Sequence, residues 1–185
     1  MHDHSKAMMT RFASTIPKGS KVLDVGSMDV NGSFRFKDPI LGVAPEPMFP
    51  DCEYTGIDIA AGPGVDIVVP EYEYPFPDNN FDCIISGSCL EHVRKPWRWM
   101  KEVARILKPG GKLCVIVPNE HEYHEHPWDC WRVYPEGLRA LFEDFGLTVL
   151  SCEMRDLHDG GVHPILGRMY IENDNARDTI GVATK

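Results

Sequence analysis

Short apolar segments alternate with turn-forming residues along most of the chain. Each segment is bounded by Gly, Pro, Asn or Asp, and such bounded apolar runs are typical of buried β-strands. The pattern predicts strands at residues 21–26, 54–59, 65–69, 81–86, 112–117, 147–154 and 179–184.

Two segments have helical rather than strand spacing of their apolar residues. Pro96 and Pro135 each occupy a position where a proline favours the first turn of a helix. The first helix has one apolar face, formed by Trp97, Met100, Val103, Ala104 and Leu107, and the second has another, formed by Leu138, Leu141, Phe142 and Phe145. We expect the first helix to end at Lys108–Gly111 and the second at Gly146.

The amino-terminal segment also has helical spacing, with Met8, Met9, Phe12 and Ile16 on one face. Packing against the core is one interpretation of residues 1–20, and a lid over a ligand is another. Strands joined by crossovers predict an α/β fold, a doubly wound, Rossmann-like, mostly parallel sheet. The length of 185 residues favours a single domain over residues 1–185.

Charge and composition narrow the class of partner. Nineteen Lys and Arg against 28 Asp and Glu give a net charge of −9, which disfavours nucleic acid. No apolar run is long enough for a membrane span. The six cysteines show no Cys-x-x-Cys spacing, and residues 1–11 lack a secretory pattern, so a reduced, cytoplasmic protein is expected.

Two residues at strand ends suggest a ligand. Gly26 ends the first predicted strand, where a glycine allows a ligand to approach the backbone, and Asp58 ends the second, where a carboxylate can accept bonds from two ribose hydroxyls. A tight turn and a surface aspartate are the alternatives for each residue alone. Together they favour an adenosine-type ligand. The sequence has neither a P-loop, which would indicate a nucleoside triphosphate, nor the Gly-x-Gly-x-x-Gly motif of dinucleotide binding.

Four segments in order carry a resemblance to a known family. They are VLDVGSMDVNGS (22–33), YTGIDI (54–59), YPFPDNNFDCIISGSCLEHV (74–93) and RILKPGGKLCVIVPN (105–119). Together they resemble class I S-adenosylmethionine-dependent methyltransferases of the type 11-like kind. The segment HEHPWDCWRVYPEGLRALFEDFGL (124–147) resembles a bacterial subgroup of glycan and metabolite pathways.

The resemblance implies S-adenosylmethionine as cofactor and S-adenosylhomocysteine as product. It places the methionine part of the cofactor at one loop, the ribose at Asp58, the adenine at Ile59, and the sulfonium near a third segment. The loop comprises Asp24, Gly26, Ser27 and Met28, and the third segment comprises Ser86, Gly87 and Ser88. Glu91 is expected to brace the segment that follows.

The chain departs from the family pattern at two positions. Only the first glycine of the family's Gly-x-Gly-x-Gly is kept, at Gly26. The usual aspartate after the third strand aligns with Pro70, and Glu71 is the expected substitute.

We expect the acceptor to meet residues 119–134. His121, His124 and His126 are candidate catalytic bases, because a histidine can take a hydroxyl proton near neutral pH. Trp128 and Trp131 could stack on a ring and Arg132 could hold an acidic group, although packing and a structural ion pair are the alternatives. The histidines could also ligate a metal with Asp129, or with His158, Asp159 and His163, but their spacing is a weak pattern and no metal is predicted.

The sequence therefore predicts methyl transfer from S-adenosylmethionine to a small-molecule acceptor, a sugar or metabolite hydroxyl. A non-catalytic adenosyl-ligand-binding protein and a protein methyltransferase are the alternatives. The sequence does not predict the number of subunits, and a dimer is one possibility.

Overall fold

The computed structural model describes residues 3–29, 35, 47–125, 127–156 and 177–185. Its helices are α1 (Asp3–Ala13), α2 (Pro96–Ile106) and α3 (Pro135–Asp144), with a short 3₁₀ helix at Leu90–His92. Its strands are β1 (Lys21–Val25), β2 (Glu53–Asp58), β3 (Ile67–Val68), β4 (Phe81–Gly87), β5 (Leu107–Glu120), β6 (Thr148–Asp156) and β7 (Arg177–Thr184).

The strands form a seven-stranded sheet in the order β3-β2-β1-β4-β5-β7-β6. Strands β1 to β5 pair in parallel, whereas β7 runs antiparallel between β5 and β6. The α/β, mostly parallel prediction is confirmed. The strand order reverses between β1 and β4, and open α/β sheets bind ligands at the carboxyl ends of strands beside such a reversal.

Side chains alternate between the two faces of the sheet, as the two-residue period of a strand requires. In β4, Ile84 faces the core beneath α2 and α3, whereas Cys83 and Ile85 face the opposite core. Met9 and Phe12 of α1 are buried in that second core, so the core-packing interpretation of the amino-terminal segment fits the described residues.

The predicted helices begin at Pro96 and Pro135 as expected. Most strand bounds differ from the sequence prediction by one or two residues, and two strands differ by more. Strand β3 keeps only two residues of the predicted 65–69, because it is the sheet edge and both of its side chains are exposed. Strand β5 starts at Leu107, which pairs with Phe81 of β4 instead of closing the helical face. Within the described ranges no helix is long and apolar enough to cross a membrane.

Candidate active site

A cavity of about 540 Å³ opens at the carboxyl ends of β1, β2 and β4. Two groups of residues line most of it. The strand-end wall comprises residues 24–28, 57–60, 69, 71, 74 and 87–89, and the histidine wall comprises Glu91, His92, His121, His124, Glu125 and Trp128. A volume of this size suits a ligand of cofactor dimensions.

Gly26 closes β1 in a conformation that favours glycine. Its φ is +82°, and a Cβ added there would lie 2.5 Å from both Cβ and Sγ of Cys89. The backbone N–H groups of Gly26 and Ser27 both donate to the carbonyl of Ile57, at 2.9 and 3.0 Å. The loop is thereby fixed to the end of β2, and the absence of a side chain at Gly26 lets Cys89 pack against the backbone.

Asp24 places a buried carboxyl at the base of this loop. Burial raises its pKa to about 7, although the Tyr54 hydroxyl, which donates to Asp24 Oδ2 at 2.5 Å, and the charge of Arg35 oppose the increase. The nearby charge of Asp58 also raises this pKa. Asp24 is therefore poised to lose its proton when a cation enters the cavity.

Asp58 ends β2 and holds the neighbouring loops with its carboxylate. Oδ2 accepts from the N–H of Met28 at 3.2 Å, and Oδ1 accepts from the N–H of Ala60 at 3.3 Å. The side chain still lines the cavity, beside Ile59, which is 48% exposed. Asp58 thus joins the ends of β1 and β2 while presenting carboxylate oxygens to a ligand.

The remaining predicted cofactor residues divide into three placements. Gly87 and Ser88 line the cavity, whereas Ser86 is buried outside its lining and its hydroxyl donates to the carbonyl of Val25 at 2.8 Å. Glu71 lines the cavity, but its carboxylate accepts from Arg94 at 2.8 Å and from the Tyr72 hydroxyl. Although burial raises the pKa of Glu71, these bonds lower it overall, so the side chain is a carboxylate held beside the cavity.

The histidine wall brings side chains from two segments together. Glu91 and His92 belong to the 3₁₀ helix after β4, and His121 and His124 belong to the segment after β5. The His124 ring lies 5.0 Å from that of His92 and 4.8 Å from that of His121, between ring centroids. Two predicted bases therefore line the cavity, and His126 lies outside the described residues.

Backbone bonds fasten the later segment to the 3₁₀ helix. The carbonyl of Glu91 accepts from the N–H groups of Cys130 and Trp131, and Trp131 Nε1 donates to the carbonyl of Val93 at 2.8 Å. The expected bracing role of Glu91 is thus carried by its backbone. Its side chain instead lines the cavity.

Arg132 and Asp129 stabilise the segment from within. Two guanidinium nitrogens of Arg132 donate to the two oxygens of Asp129 at 2.6 and 2.8 Å, and one of them, Nη2, also donates to the carbonyls of His121 and Glu122. The Arg132 hydrogen bonds lower the pKa of Asp129 far below its usual range. Asp129 in turn accepts from the backbone N–H of His124 at 2.8 Å, which fixes that residue at the cavity.

The three predicted acceptor-binding residues are not equivalent. Trp128 lines the cavity and is half exposed, with the Arg94 guanidinium over its ring at 5.2 Å. Trp131 and Arg132 do not line the cavity, and both make the internal contacts just described. Only Trp128 of the three therefore lines the cavity.

Glu91 is the most deeply buried charged residue of the histidine wall. Neither carboxylate oxygen has a hydrogen-bond partner among the described residues, although His92 Nε2 lies 3.7 Å from Oε1. Burial raises the pKa of Glu91 to about 8. A carboxyl in this position is costly unless a proton, a cation or a ligand compensates it.

Sequence reasoning did not select His92, Tyr74 or Trp99, which also line the cavity. His92 carried a usable signal, because Glu91 and His92 are polar residues between Leu90 and Val93, directly after a strand that ends at the site. Tyr74 and Trp99 carried none, since each reads as an ordinary core residue.

Comparisons with known proteins agree with this arrangement. The family described as "Methyltransferase domain" matches residues 47–115. An uncharacterized methyltransferase of Mycobacterium tuberculosis is 32% identical over 102 residues, which cover 54% of this chain and 39% of that protein. The 2-methyl-6-phytyl-1,4-hydroquinone methyltransferase of Synechocystis is 31% identical over 124 residues, which cover 63% and 38%. The chain thus spans about two fifths of these relatives.

Solved structures share the fold over nearly the whole chain. The [4+2]-cyclase SpnF has a TM-score of 0.67 at 19% identity, with 99% of this chain and 81% of that chain covered. Haemonchus contortus phosphoethanolamine N-methyltransferase 2, solved with S-adenosyl-L-methionine, has a TM-score of 0.61 at 14% identity, with 98% and 52% covered. At these identities the likeness shows the fold alone. Together with the family match over residues 47–115 and the methyltransferase relatives, it makes the chain similar to class I S-adenosylmethionine-dependent methyltransferases.

Proposed function

We propose that this chain transfers a methyl group from S-adenosylmethionine to a hydroxyl of a small-molecule acceptor. The observation that carries the proposal is the single cavity edge at which Gly26, Asp58 and the histidine wall meet. The strand-end wall has the features of an adenosyl-ligand site, and the wall opposite supplies groups that can accept a proton.

The strand-end wall fits the cofactor on three observations. Gly26 lies at the cavity in tight contact with Cys89, which leaves no room for a side chain at this strand end. Ser27 Oγ is buried and has no hydrogen-bond partner among the described residues, so it can donate to a carboxylate. Asp24 provides a buried carboxyl for an ammonium group, and Asp58 provides acceptors for ribose hydroxyls.

The bound cofactor would supply an electrophilic methyl group. The chain's own task is to position the acceptor oxygen and to remove its proton, and positioning alone is worth up to about 7–11 kcal/mol in favourable cases. His124 is our first candidate for the base, because its backbone is fixed by Asp129 and its ring lines the cavity. His121 also lines the cavity and is the second candidate, and His126 remains a candidate on sequence alone.

Trp128 would contact the acceptor, since its half-exposed ring borders the cavity beside Arg94. A flat apolar ring suits the faces of sugars and of aromatic metabolites. We assign Trp131 and Arg132 to holding the segment in place, since their polar groups are bound internally.

One observation favours a second candidate function. The loop after Gly26 continues as Ser27, Met28 and Asp29 in place of the family's repeated glycines. A chain that keeps the cofactor site but not the reaction would be a non-catalytic adenosyl-ligand-binding protein. Cofactor binding without turnover on a broad acceptor panel would favour that function.

The first test is calorimetric titration of the purified chain with S-adenosylmethionine and S-adenosylhomocysteine. We expect micromolar binding, and Asp58→Ala should weaken it by about 1–3 kcal/mol, because charge-assisted bonds to the ribose are lost. Glu53→Ala is the matched control, since Glu53 begins the same strand at its opposite end. Absence of binding up to millimolar ligand, or equal affinity of wild type and Asp58→Ala, would contradict the assignment.

The second test addresses the histidine wall, where we expect the acceptor to bind. With an acceptor found among sugars and nucleotide sugars, His124→Ala should lower kcat while the S-adenosylmethionine affinity stays unchanged. A parallel fall in cofactor affinity would show that His124 belongs to the cofactor site instead.

A further inference from the structure

The histidine wall contains a group of three side chains with the composition of a metal site. One carboxylate oxygen of Glu91 and one ring nitrogen each of His92 and His124 lie within 4.8 Å of one another. Two imidazoles and one carboxylate form a frequent ligand set for zinc and neighbouring transition metals, with further positions left for water or substrate. The group forms part of the cavity lining.

The Glu91 carboxylate is the first observation that points to a ligand. The side chain is fully buried, and neither oxygen has a hydrogen-bond partner among the described residues. A carboxyl buried in this way keeps a proton unless a cation compensates its charge, and Arg132 is already engaged by Asp129. A metal ion at the cavity edge would replace that proton.

The orientation of His92 is the second observation. Its Nδ1 contacts the carbonyl oxygen of Trp128, and since a carbonyl can only accept, Nδ1 carries the hydrogen. In this tautomer the lone pair is on Nε2, which lies 3.7 Å from Glu91 Oε1. Metal-ligating histidines commonly donate their other ring N–H to a backbone carbonyl in this way.

The distance between these two atoms suits an ion better than a direct bond. A separation of 3.7 Å is too long for a hydrogen bond. Two ligand atoms each about 2.1 Å from a tetrahedral ion lie about 3.4 Å apart, so this pair is close to ligand spacing, and His124 must move inward to join it.

His124 has the same arrangement on the other side. Its Nδ1 lies 3.0 Å from the carbonyl oxygen of Glu122, which again places the hydrogen on Nδ1. Asp129 accepts from the backbone N–H of His124, and Arg132 donates to the carbonyl of His121 in the same segment. Both imidazoles are therefore oriented by carbonyl groups of the same segment, residues 121–132.

We propose that Glu91, His92 and His124 bind a divalent transition-metal ion of the zinc type at the edge of the cavity. This inference rests on the proposed function only for the role of the ion, because binding itself needs no cofactor. The ion would hold the acceptor's hydroxyl oxygen at an open position and lower the pKa of that hydroxyl. The O–H bond then breaks with the metal–oxygen bond retained, and the proton passes to solvent water.

The role of His124 changes with the ion. A ring nitrogen that ligates a metal cannot also take a proton, so in the metal-bound protein His124 positions the ion and the acceptor hydroxyl is activated by the metal. His121 stays outside the group of three, although its ring contacts that of His124. These two neighbouring imidazoles are therefore a matched pair for testing.

The test is titration of the metal-free, tag-free chain with Co²⁺ and Zn²⁺, without cofactor or acceptor. We expect one saturable ion per chain, a visible Co²⁺ absorption of low-coordinate type, and displacement of Co²⁺ by Zn²⁺. Glu91→Gln, His92→Ala and His124→Ala should each weaken binding by at least about tenfold, as loss of a ligand costs no less than loss of its supporting contacts. His121→Ala should bind as wild type does.

Three results would overturn the metal site. They are no saturable Co²⁺ or Zn²⁺ binding, unchanged binding in Glu91→Gln and His92→Ala, and equal loss in His121→Ala, which would place the ion at His121 instead. Thermal unfolding of each variant without metal shows whether it is folded, and Glu91→Gln keeps the shape of the native side chain. Calorimetry with S-adenosylmethionine on the same samples tests the cofactor site independently of the metal site, because cofactor binding does not require the ion.

Discussion

The two walls of the cavity are built by different means. The strand-end wall is formed where β1, β2 and β4 end, and its loops are held by backbone bonds such as those from Gly26 and Ser27 to Ile57. The histidine wall lies on residues 121–132 and the 3₁₀ helix, and it is held by side chains, above all Arg132 and Asp129. The first wall is part of the sheet, whereas the second is attached to it.

This difference suits two kinds of ligand. A wall made of strand ends is fixed by the fold itself, so every protein of this architecture can offer the same site to one cofactor. A wall made of loop side chains can change without disturbing the sheet, so it can be adapted to different acceptors. We therefore expect substitutions in the strand-end wall to lower both stability and cofactor affinity. Substitutions in the histidine wall should lower stability or kcat without changing cofactor affinity.

The largest effect is expected from Gly26→Ala in the strand-end wall. The new Cβ would lie 2.5 Å from Cys89, in a backbone conformation with φ of +82°. Gly19→Ala is the matched control, because its φ is +80° and nothing lies within 4 Å of the added Cβ. We expect a loss of about 1 kcal/mol in the free energy of unfolding for the control, and about 1–3 kcal/mol more for Gly26→Ala.

Denaturant unfolding and calorimetry with S-adenosylmethionine measure this difference. Gly26→Ala should also lower cofactor affinity severely, whereas Gly19→Ala should leave it unchanged. Equal destabilisation of the two variants would mean that the Cys89 contact does not matter. A partial recovery in Gly26→Ala/Cys89→Gly would sharpen the result, since only the steric part of the cost is relieved.

The strand-end wall could be predicted from sequence because its signals are local. A glycine after KVLDV and an aspartate after YTGI mark two strand ends, and parallel strands bring such ends together. The fold followed from the same alternation. Ser86 shows the limit, because its position in the chain matched the site but its side chain faces the carbonyl of Val25.

The histidine wall was predictable only in part, because its contacts join segments distant in sequence. The sequence marked His121 and His124, but not that His92 and Glu91, about 30 residues earlier, would lie against them. It also offered Arg132 as a ligand for the acceptor. The partner that engages Arg132, Asp129, is three residues away, and no spacing distinguishes such a structural pair from a binding residue.

The second largest effect is expected from Arg132→Ala in the histidine wall. The change removes two bonds to Asp129 and leaves that carboxylate with a side chain only 2% exposed and without its main partner. We expect a loss of about 2–3 kcal/mol in the free energy of unfolding and a fall in kcat of tenfold or more, as the segment loses its order. Cofactor affinity should remain that of wild type.

Arg132→Lys is the graded variant, because lysine keeps the charge but cannot make the paired bonds. It should fall between wild type and Arg132→Ala in both measurements. If Arg132→Ala weakened S-adenosylmethionine binding as strongly as it lowered kcat, the two walls would not be separable.

A pH effect of intermediate size is expected from Asp24. Because burial raises its folded-state pKa to about 7, the unfolded chain releases this proton first as pH rises from about 4 to 7. The contribution of Asp24 to wild-type stability should fall across that window and level off above it. Asp24→Asn should lack the fall, so its stability relative to wild type should rise by about 1–3 kcal/mol between pH 4 and 8.

Urea unfolding at a series of pH values measures this difference. Asp58 and Arg35 also act on the Asp24 charge, and Tyr54 donates to it, so Tyr54→Phe is the companion variant and should steepen the wild-type fall. Parallel pH profiles for wild type and Asp24→Asn would contradict the assignment. The strand-end wall would then owe none of its pH response to the buried carboxyl.

The smallest effect is expected from Arg94, which connects the two walls. Its guanidinium donates to Glu71 of the strand-end wall at 2.8 Å and lies over the Trp128 ring of the histidine wall at 5.2 Å. Because the side chain is 55% exposed, the contact with Trp128 should be worth only about 0.5–1 kcal/mol.

A double-mutant cycle of Arg94→Ala and Trp128→Ala measures that contact through the free energy of unfolding. We expect a coupling of about 0.5 kcal/mol between the two changes. The Glu71 pair should weaken in high salt, whereas the stacking on Trp128 should persist better, so the coupling should survive 1 M salt in large part. Strictly additive effects of the two changes would show that the two walls do not interact through Arg94. The histidine wall could then be exchanged between relatives without any change at Arg94.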